Sequence, residues 1–278
     1  LPWLTTIGLL QEHRMGFSAA GLAVASAALG RLLWDGAARR KTGRVMRWTA
    51  AIAAITAVMG AIAVDRSRAA VWRDDRRLWG EVVGWSPDNM LARINLGAAY
   101  MEHDEYDRAE AEYRAIIALT PAYPRAYYNL GLLALRRGRT DDAVAAFERA
   151  AALDPGNASP RTHLGILALR SGDAQRAERE FEAALGLDPT QRDALNNLSA
   201  IYLERREWSK ALSLVDEALA RDPGFLEAAY NRGVALAGLG RRAEATVALT
   251  DVRRRLPPDA KFDQYRSGID HLLGSVQP

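Results

Sequence analysis

The sequence predicts an all-α protein, a two-helix transmembrane hairpin followed by a right-handed superhelix of stacked helix-turn-helix units, that is, an α-solenoid. Three observations predict it. Prolines recur at Pro87, Pro121, Pro155, Pro189, Pro223 and Pro257, each 34 residues after the last. Between them, residues of matching size return at matching places. Ahead of them lie two charge-free runs, Met15 to Gly30 and Trp48 to Val64, separated by a basic loop.

The repeats divide into five units, residues 90–123, 124–157, 158–191, 192–225 and 226–259. The seventh position of each unit holds Leu96, Leu130, Leu164, Leu198 and, aberrantly, Arg232. The eighth is small every time: Gly97, Gly131, Gly165, Ser199 and Gly233. The twentieth is Ala109, Ala143, Ala177, Ala211 and Ala245, and the twenty-fourth is Tyr113, Phe147, Phe181, Val215 and Leu249. Small residues let two helix backbones approach, and a bulky residue four places on fills the groove beside them. A period of 34 with these columns resembles the tetratricopeptide repeat family over residues 90–259. Each unit then reads as helix A, a tight turn, helix B, and a proline that stops helix B. Gly138, Gly172 and Gly240 serve the turn in three units, with Asp104 and Arg206 in the other two. One unit cannot bury its own apolar face, so stacked neighbours build the core and the ends need covers.

At the C-terminal end, residues 260–278 carry Phe262, Tyr265, Ile269, Leu272 and Leu273 at helical spacing, which suits a capping helix. At the other end, residues 66–89 contain WRDDRRLW, and the repeat register places Asp75, Trp79 and Val82 where an earlier helix B would stand. This junction reads as an N-terminal capping helix, with Trp72 and Trp79 on the face toward Ile94 and Ala98. An interfacial aromatic belt beside a membrane is the compatible alternative.

Residues 1–65 form the expected membrane region, with helices over residues 15–34 and 46–64. At 1.5 Å per residue the second charge-free run covers roughly 26 Å, near the ~30 Å hydrocarbon core. Many alanines, with Gly16, Gly21 and Gly60, suit close helix packing. A buried hairpin outside any membrane is the alternative, and a signal peptide fits poorly because two apolar runs occur. Loop residues 35–47 hold Arg39, Arg40, Lys41, Arg44 and Arg47 against Asp35. By the positive-inside rule this loop is cytoplasmic, so the repeats are expected on the extracytoplasmic side, periplasmic or lumenal, with the lipid bilayer as one partner.

Charge and composition narrow the function. Residues 1–86 carry 12 basic and 6 acidic side chains, leaving 25 and 28 for the remainder, so the repeat region is mildly acidic. Nucleic-acid binding needs a basic face with stacking aromatics, and no such face is legible. The chain has no cysteine, which excludes disulfides and thiolate metal sites. His13, His103, His163 and His271 are far apart, and no phosphate-binding glycine loop occurs. No catalytic residue, metal site or cofactor is therefore expected, and the chain is read as non-enzymatic.

A second resemblance concerns residues 11–90. Glu12, His13 and Arg14 precede an apolar helix, a basic loop, another helix, and WRDDRRLW opening the repeats. That order is similar to the C-terminal part of multi-spanning membrane glycosyltransferases of the O-mannosyltransferase type. The resemblance implies that this chain is a fragment whose repeats present acceptor protein to a catalytic half lying before Leu1.

The candidate binding site lies on helix A, whose second, fifth, sixth, ninth and twelfth positions are expected to face a concave groove. The sixth position reads Asn95, Asn129, His163, Asn197 and Asn231. A carboxamide offers a donor and an acceptor, matching one peptide unit, so such a column can hold an extended backbone whatever its side chains. It resembles the asparagine ladder of O-linked N-acetylglucosamine transferases; a packing role for the amides is the alternative. Arg125, Tyr128, Arg136 and Arg170 gather in the second and third units, with Leu132, Leu135, Ile166 and Leu169 between them. Asp193, Glu204, Glu227 and Tyr230 follow in the fourth and fifth, so the groove is expected to run from basic to acidic. The expected partner is a protein or extended peptide held by a membrane-anchored interaction module.

Overall fold

The computed structural model describes Arg31, Ile52, Ile55, Thr56, Met59, residues 74–259 and residues 262–276. The chain divides into two compact units, Leu1–Ala92 and Arg93–Pro278. Twelve complete helices occur among the described residues.

In the first unit, α1 spans Asp75–Trp85. Asp74 starts it: its carboxylate accepts from the Arg76 backbone N–H at 3.0 Å and from the Arg76 guanidinium at 3.0 Å. The hydrogen bond from the Arg76 side chain is the main reason the Asp74 carboxyl titrates below the usual carboxylate range. The helix ends at Trp85, two residues before Pro87, with the Ser86 N–H closing on the Val82 carbonyl at 2.9 Å. Asn89 then caps the next helix, accepting from the Ala92 N–H at 3.0 Å.

That helix, α2 (Met90–Glu102), opens a series of A and B helices: α3 (Tyr106–Leu119), α4 (Pro124–Arg136), α5 (Thr140–Leu153), α6 (Ala158–Arg170) and α7 (Ala174–Leu187). The series continues through α8 (Arg192–Glu204), α9 (Trp208–Arg221), α10 (Leu226–Gly238) and α11 (Arg242–Arg255), and α12 (Asp263–Val276) follows. The even-numbered helices from α2 to α10 are A helices, and each packs against the B helix after it through one repeated contact. Where α4 carries Gly131, a Cβ would meet the Phe147 ring of α5 at 2.6 Å; Gly165 stands in the same relation to Phe181, and Gly97 to Tyr113. These three rings are wholly buried, and the alanines four residues before them, Ala109, Ala143 and Ala177, are equally inaccessible. Full burial of such a ring stabilises by about 1.5–3 kcal/mol. In the fourth repeat the small place is Ser199, whose Oγ donates to the Asn196 carbonyl at 2.6 Å, and the bulky place shrinks to Val215.

The turn between helices A and B has one residue in the left-handed region in every repeat: Asp104 (φ 58), Gly138 (φ 70), Gly172 (φ 81), Arg206 (φ 60) and Gly240 (φ 74). The B helices each end two residues before Pro121, Pro155, Pro189, Pro223 and Pro257. At the C-terminal end α12 lies against α10 and α11. Ile269 is fully buried there with Leu249 and Val252, and the Tyr230 and Tyr265 rings meet edge to face at 5.1 Å. Arg266 ties down the approach to α12, donating to the Pro257 carbonyl at 2.6 Å and the Asp259 carbonyl at 2.8 Å.

Two expectations are corrected. Among the described residues no helix is long and apolar enough to cross a membrane, which removes the transmembrane hairpin from the fold class. The two apolar runs lie almost wholly outside the described residues, as does the basic loop; Ile52, Ile55, Thr56 and Met59 of the second run are helical, as is Arg31 just past the first. The extracytoplasmic placement, and the lipid bilayer as a partner, fall with the hairpin, because the positive-inside rule orients only a segment that spans. Trp72, named for the N-terminal cap, also lies outside the described residues, whereas Trp79 is a half-buried residue of α1.

Candidate functional site

From the third repeat onward each A helix also touches the next: α6 meets α8, α8 meets α10, and α10 meets α12. Successive B helices do not approach each other in this way, so this stretch bends toward its A helices and their shared face is the inner one. At about 100° per residue, positions two, six, nine and thirteen of each A helix form one stripe along that face. On α4 the stripe is Arg125, Asn129, Leu132 and Arg136, and on α6 it is Ser159, His163, Ile166 and Arg170. On α8 it is Asp193, Asn197, Ala200 and Glu204, and on α10 Glu227, Asn231, Val234 and Gly238. Leu132 and Leu135 are half-buried against the core around Phe147, and Ile166 and Leu169 against the core around Phe181.

The sixth-position column is not uniform. Asn95 and Asn129 are half-buried and make no hydrogen bond among the described residues. Asn197 turns its amide onto its own helix, donating to the Asp193 carbonyl at 2.7 Å. Asn231 donates across the repeat boundary to Asn196 Oδ1 at 2.9 Å and lies 3.5 Å from Ser199 Oγ. His163 also reaches back one repeat, with Nε2 at 3.1 Å from the Tyr128 hydroxyl and its ring stacked on Phe147 at 4.8 Å. Burial pushes the His163 imidazole below its usual pKa, with the charge of Asp193 pulling the other way, and burial raises the Tyr128 phenol. The imidazole is thus neutral near pH 7 and one ring nitrogen is free to accept.

Tyr128 with His163 and Asn196 with Asn231 share one geometry, the fifth position of a repeat against the sixth position of the next, 35 residues on. Tyr230 and Tyr265 stand in the same relation. Burial likewise raises the Tyr230 phenol. The sequence reading missed Asn196 and Phe147 as partners of this column. The signal for Asn196 was the 35-residue offset, which appears only once two adjacent A helices are placed side by side; Phe147, 16 residues before His163 on the intervening B helix, is reached only when that helix packs between them.

The charges separate by face. Away from the inner stripe, arginines and carboxylates of different helices pair: Arg137 with Glu110 at 3.0 Å, Arg161 with Glu180 at 3.2 Å, Arg176 with Glu148 at 2.7 Å, and Arg205 with Glu178 at 2.8 Å. On the stripe, Arg125, Arg136 and Arg170 are exposed and make no ion pair or hydrogen bond among the described residues.

One tetratricopeptide repeat model matches residues 83–158 and 201–260, and a second matches 134–194 and 168–217. Together they run unbroken from residue 83 to 260, and the chain belongs to the tetratricopeptide repeat family. No curated protein matches the chain. Among solved structures, YrrB, described as a tetratricopeptide repeat protein with an unusual peptide-binding site, is 21% identical with a TM-score of 0.52, over 68% of this chain and 97% of that one. PilF of Pseudomonas aeruginosa is 16% identical with a TM-score of 0.63, over 74% of this chain and 95% of its own. PilW, a type IV pilus biogenesis factor, is 20% identical with a TM-score of 0.57, over 66% of this chain and 86% of its own. At such identities these likenesses concern the fold alone. The family matches begin at residue 83, so they lend no support to the likeness of residues 11–90 to membrane glycosyltransferases.

Proposed function

We propose that the repeats form a protein-interaction module that holds an extended segment of a partner on the inner face of its A helices. The observation that carries this reading is the division of labour within the sixth-position column. Asn95 and Asn129 keep a donor and an acceptor unspent at the surface, and an extended backbone presents one of each per residue. Arg125, Arg136 and Arg170 flank that surface and reach for charged or carbonyl groups. His163, Asn197, Asn231, Tyr128 and Tyr230 complete the site, most of them by fixing how the A helices from α4 onward sit against one another. The likeness to YrrB, described as binding peptide, is consistent with such use of the fold.

The test uses fluorescein-labelled, uncharged, unstructured peptides and reads anisotropy and urea unfolding on the same samples. Asn95→Ala with Asn129→Ala removes about two net hydrogen bonds and should weaken binding by roughly 1–3 kcal/mol, leaving the unfolding midpoint unchanged. Asn231→Ala should do the opposite to stability, lowering the midpoint because the Asn196 amide oxygen loses its donor. Should no such peptide bind, or should the Asn95 and Asn129 pair alter stability and not affinity, the reading is wrong.

A further inference from the structure

Charge on the inner face is ordered by helix in a way that the fold itself does not use. At the second and thirteenth positions, which bracket the central amide and aliphatic residue, α4 carries Arg125 and Arg136. Two A helices further on, α8 carries Asp193 and Glu204 at the same two places. Between them α6 adds Arg170, and beyond them α10 adds Glu227. Five of these six make no ion pair or hydrogen bond among the described residues; the carboxylate of Asp193 pairs with its neighbour Arg192 at 3.4 Å, and its charge also reaches His163. The bracketing arginines of α4 and carboxylates of α8 cannot satisfy each other: two helix spacings of ~10 Å put them ~20 Å apart, well beyond a Debye length of ~8 Å, and Arg170 and Glu204, one spacing apart, form no ion pair.

We propose that the segment held on this face is charge-ordered, with acidic side chains over α4 and α6, basic side chains over α8 and α10, and small or apolar residues between. The proposal rests on the peptide-holding reading above and adds to it the chemistry of the ligand. An extended chain advances ~3.3 Å per residue, so the centres of the two charged blocks stand about six residues apart. Run in the same chain direction, a segment with the blocks in the wrong order meets like charge at both ends. One with interleaved charges gains at some positions what it loses at others, and an uncharged one is held by the amides alone. The order therefore sets chain direction and partner choice more than gross affinity.

The experiment compares four labelled peptides: an acidic block followed by a basic block, the same blocks in reversed order, an interleaved peptide of identical composition, and an uncharged peptide. Each is titrated into the full chain and into a variant with the four bracketing charges exchanged, Arg125→Glu, Arg136→Glu, Asp193→Arg and Glu204→Arg. For the natural chain, one block order should bind roughly tenfold more tightly than the interleaved peptide, the product of a few exposed ion pairs each worth about two- to fivefold. The exchanged variant should prefer the other order by a similar factor. All four side chains are exposed, so helical content and the unfolding midpoint should be kept. If the fourfold variant fails to fold, Arg125→Glu with Arg136→Glu alone should abolish the preference between orders. Equal binding of block and interleaved peptides, with the uncharged peptide still bound, overturns the charge order and leaves the peptide-holding reading standing. Failure of all four to bind overturns both. Self-association of the natural chain that disappears in the charge-exchanged variant would show the face occupied by a second copy and overturns the peptide as its occupant.

Discussion

Gly131 has room for a hydrogen and nothing larger. An added Cβ would lie 2.6–2.8 Å from three carbons of the Phe147 ring, and that ring is wedged between Tyr128 and His163 at 5.7 and 4.8 Å. Gly131→Ala should therefore lower stability by about 1–3 kcal/mol, the usual cost of overpacking. Phe147→Val in the same chain should recover part of the loss, since Ser199 facing Val215 is the natural version of that exchange. Chemical unfolding of both variants checks this, and a double variant no better than the sum of its parts contradicts it. Arg206 poses the opposite case. It holds a φ of 60° that costs a side-chain-bearing residue roughly 1–2 kcal/mol, so Arg206→Gly should raise the midpoint, partly offset by the greater freedom of glycine in the unfolded chain.

At the scale of elements, the joint between α4 and α6 is the one held by a titratable pair. His163 faces Phe147 and Tyr128, with Asp193 of α8 as the charged group nearby, and burial keeps its folded pKa below the ordinary 6.5. The sign follows from linkage. As pH falls through the unfolded value, the unfolded chain takes up a proton that the folded chain refuses, so stability present above about pH 6.5 is lost toward the folded pKa. His163→Asn restores the amide found elsewhere in the column and does not titrate. Unfolding midpoints measured between about pH 7.5 and 5.5 should fall more steeply for the natural chain than for this variant. Parallel profiles would show that the imidazole bears no such linkage. The joint between α8 and α10, made by Asn196 and Asn231, should be insensitive to pH over the same interval because neither group titrates.

For the repeat array as a whole, each repeat buries its core against its neighbours, so damage should stay near where it is made. Ending the chain after Asp259 removes α12 and exposes Leu249, Val252 and Ala229, which share a buried cluster with Ile269. Loss of that cover should cost about 3–5 kcal/mol locally, the burial of two or so large apolar side chains. Amide exchange should quicken in α10 and α11 and stay near its natural rate in α4 to α7. A uniform increase along the array would instead mean that it unfolds as one cooperative block.

The sequence by itself determined the repeating core. Small residues at the eighth and twentieth positions and bulky ones at the twenty-fourth answer a local steric need that recurs every 34 residues. That is why the alanine and ring columns can be read from spacing alone and are fully buried in the structure. The same holds for the helix stops: proline is tolerated in the first turn of a helix, as at Pro124 and Pro160, but not in its interior, so a helix cannot run through Pro121, Pro155, Pro189, Pro223 or Pro257. The two alanine-rich, charge-free runs suggested spanning helices on composition alone; they lie almost wholly outside the described residues, among which no helix is long and apolar enough to cross a membrane. Only the tertiary structure decided which polar side chains of the inner column are free. Asn129 and Asn231 occupy the same register position in chemically identical form, but Asn231 finds Asn196 on the preceding A helix, whereas the equivalent neighbour of Asn129 is Ile94, which offers no acceptor. Whether an amide is spent or available depends on a contact between residues 35 apart, and that contact exists only after the A helices have stacked.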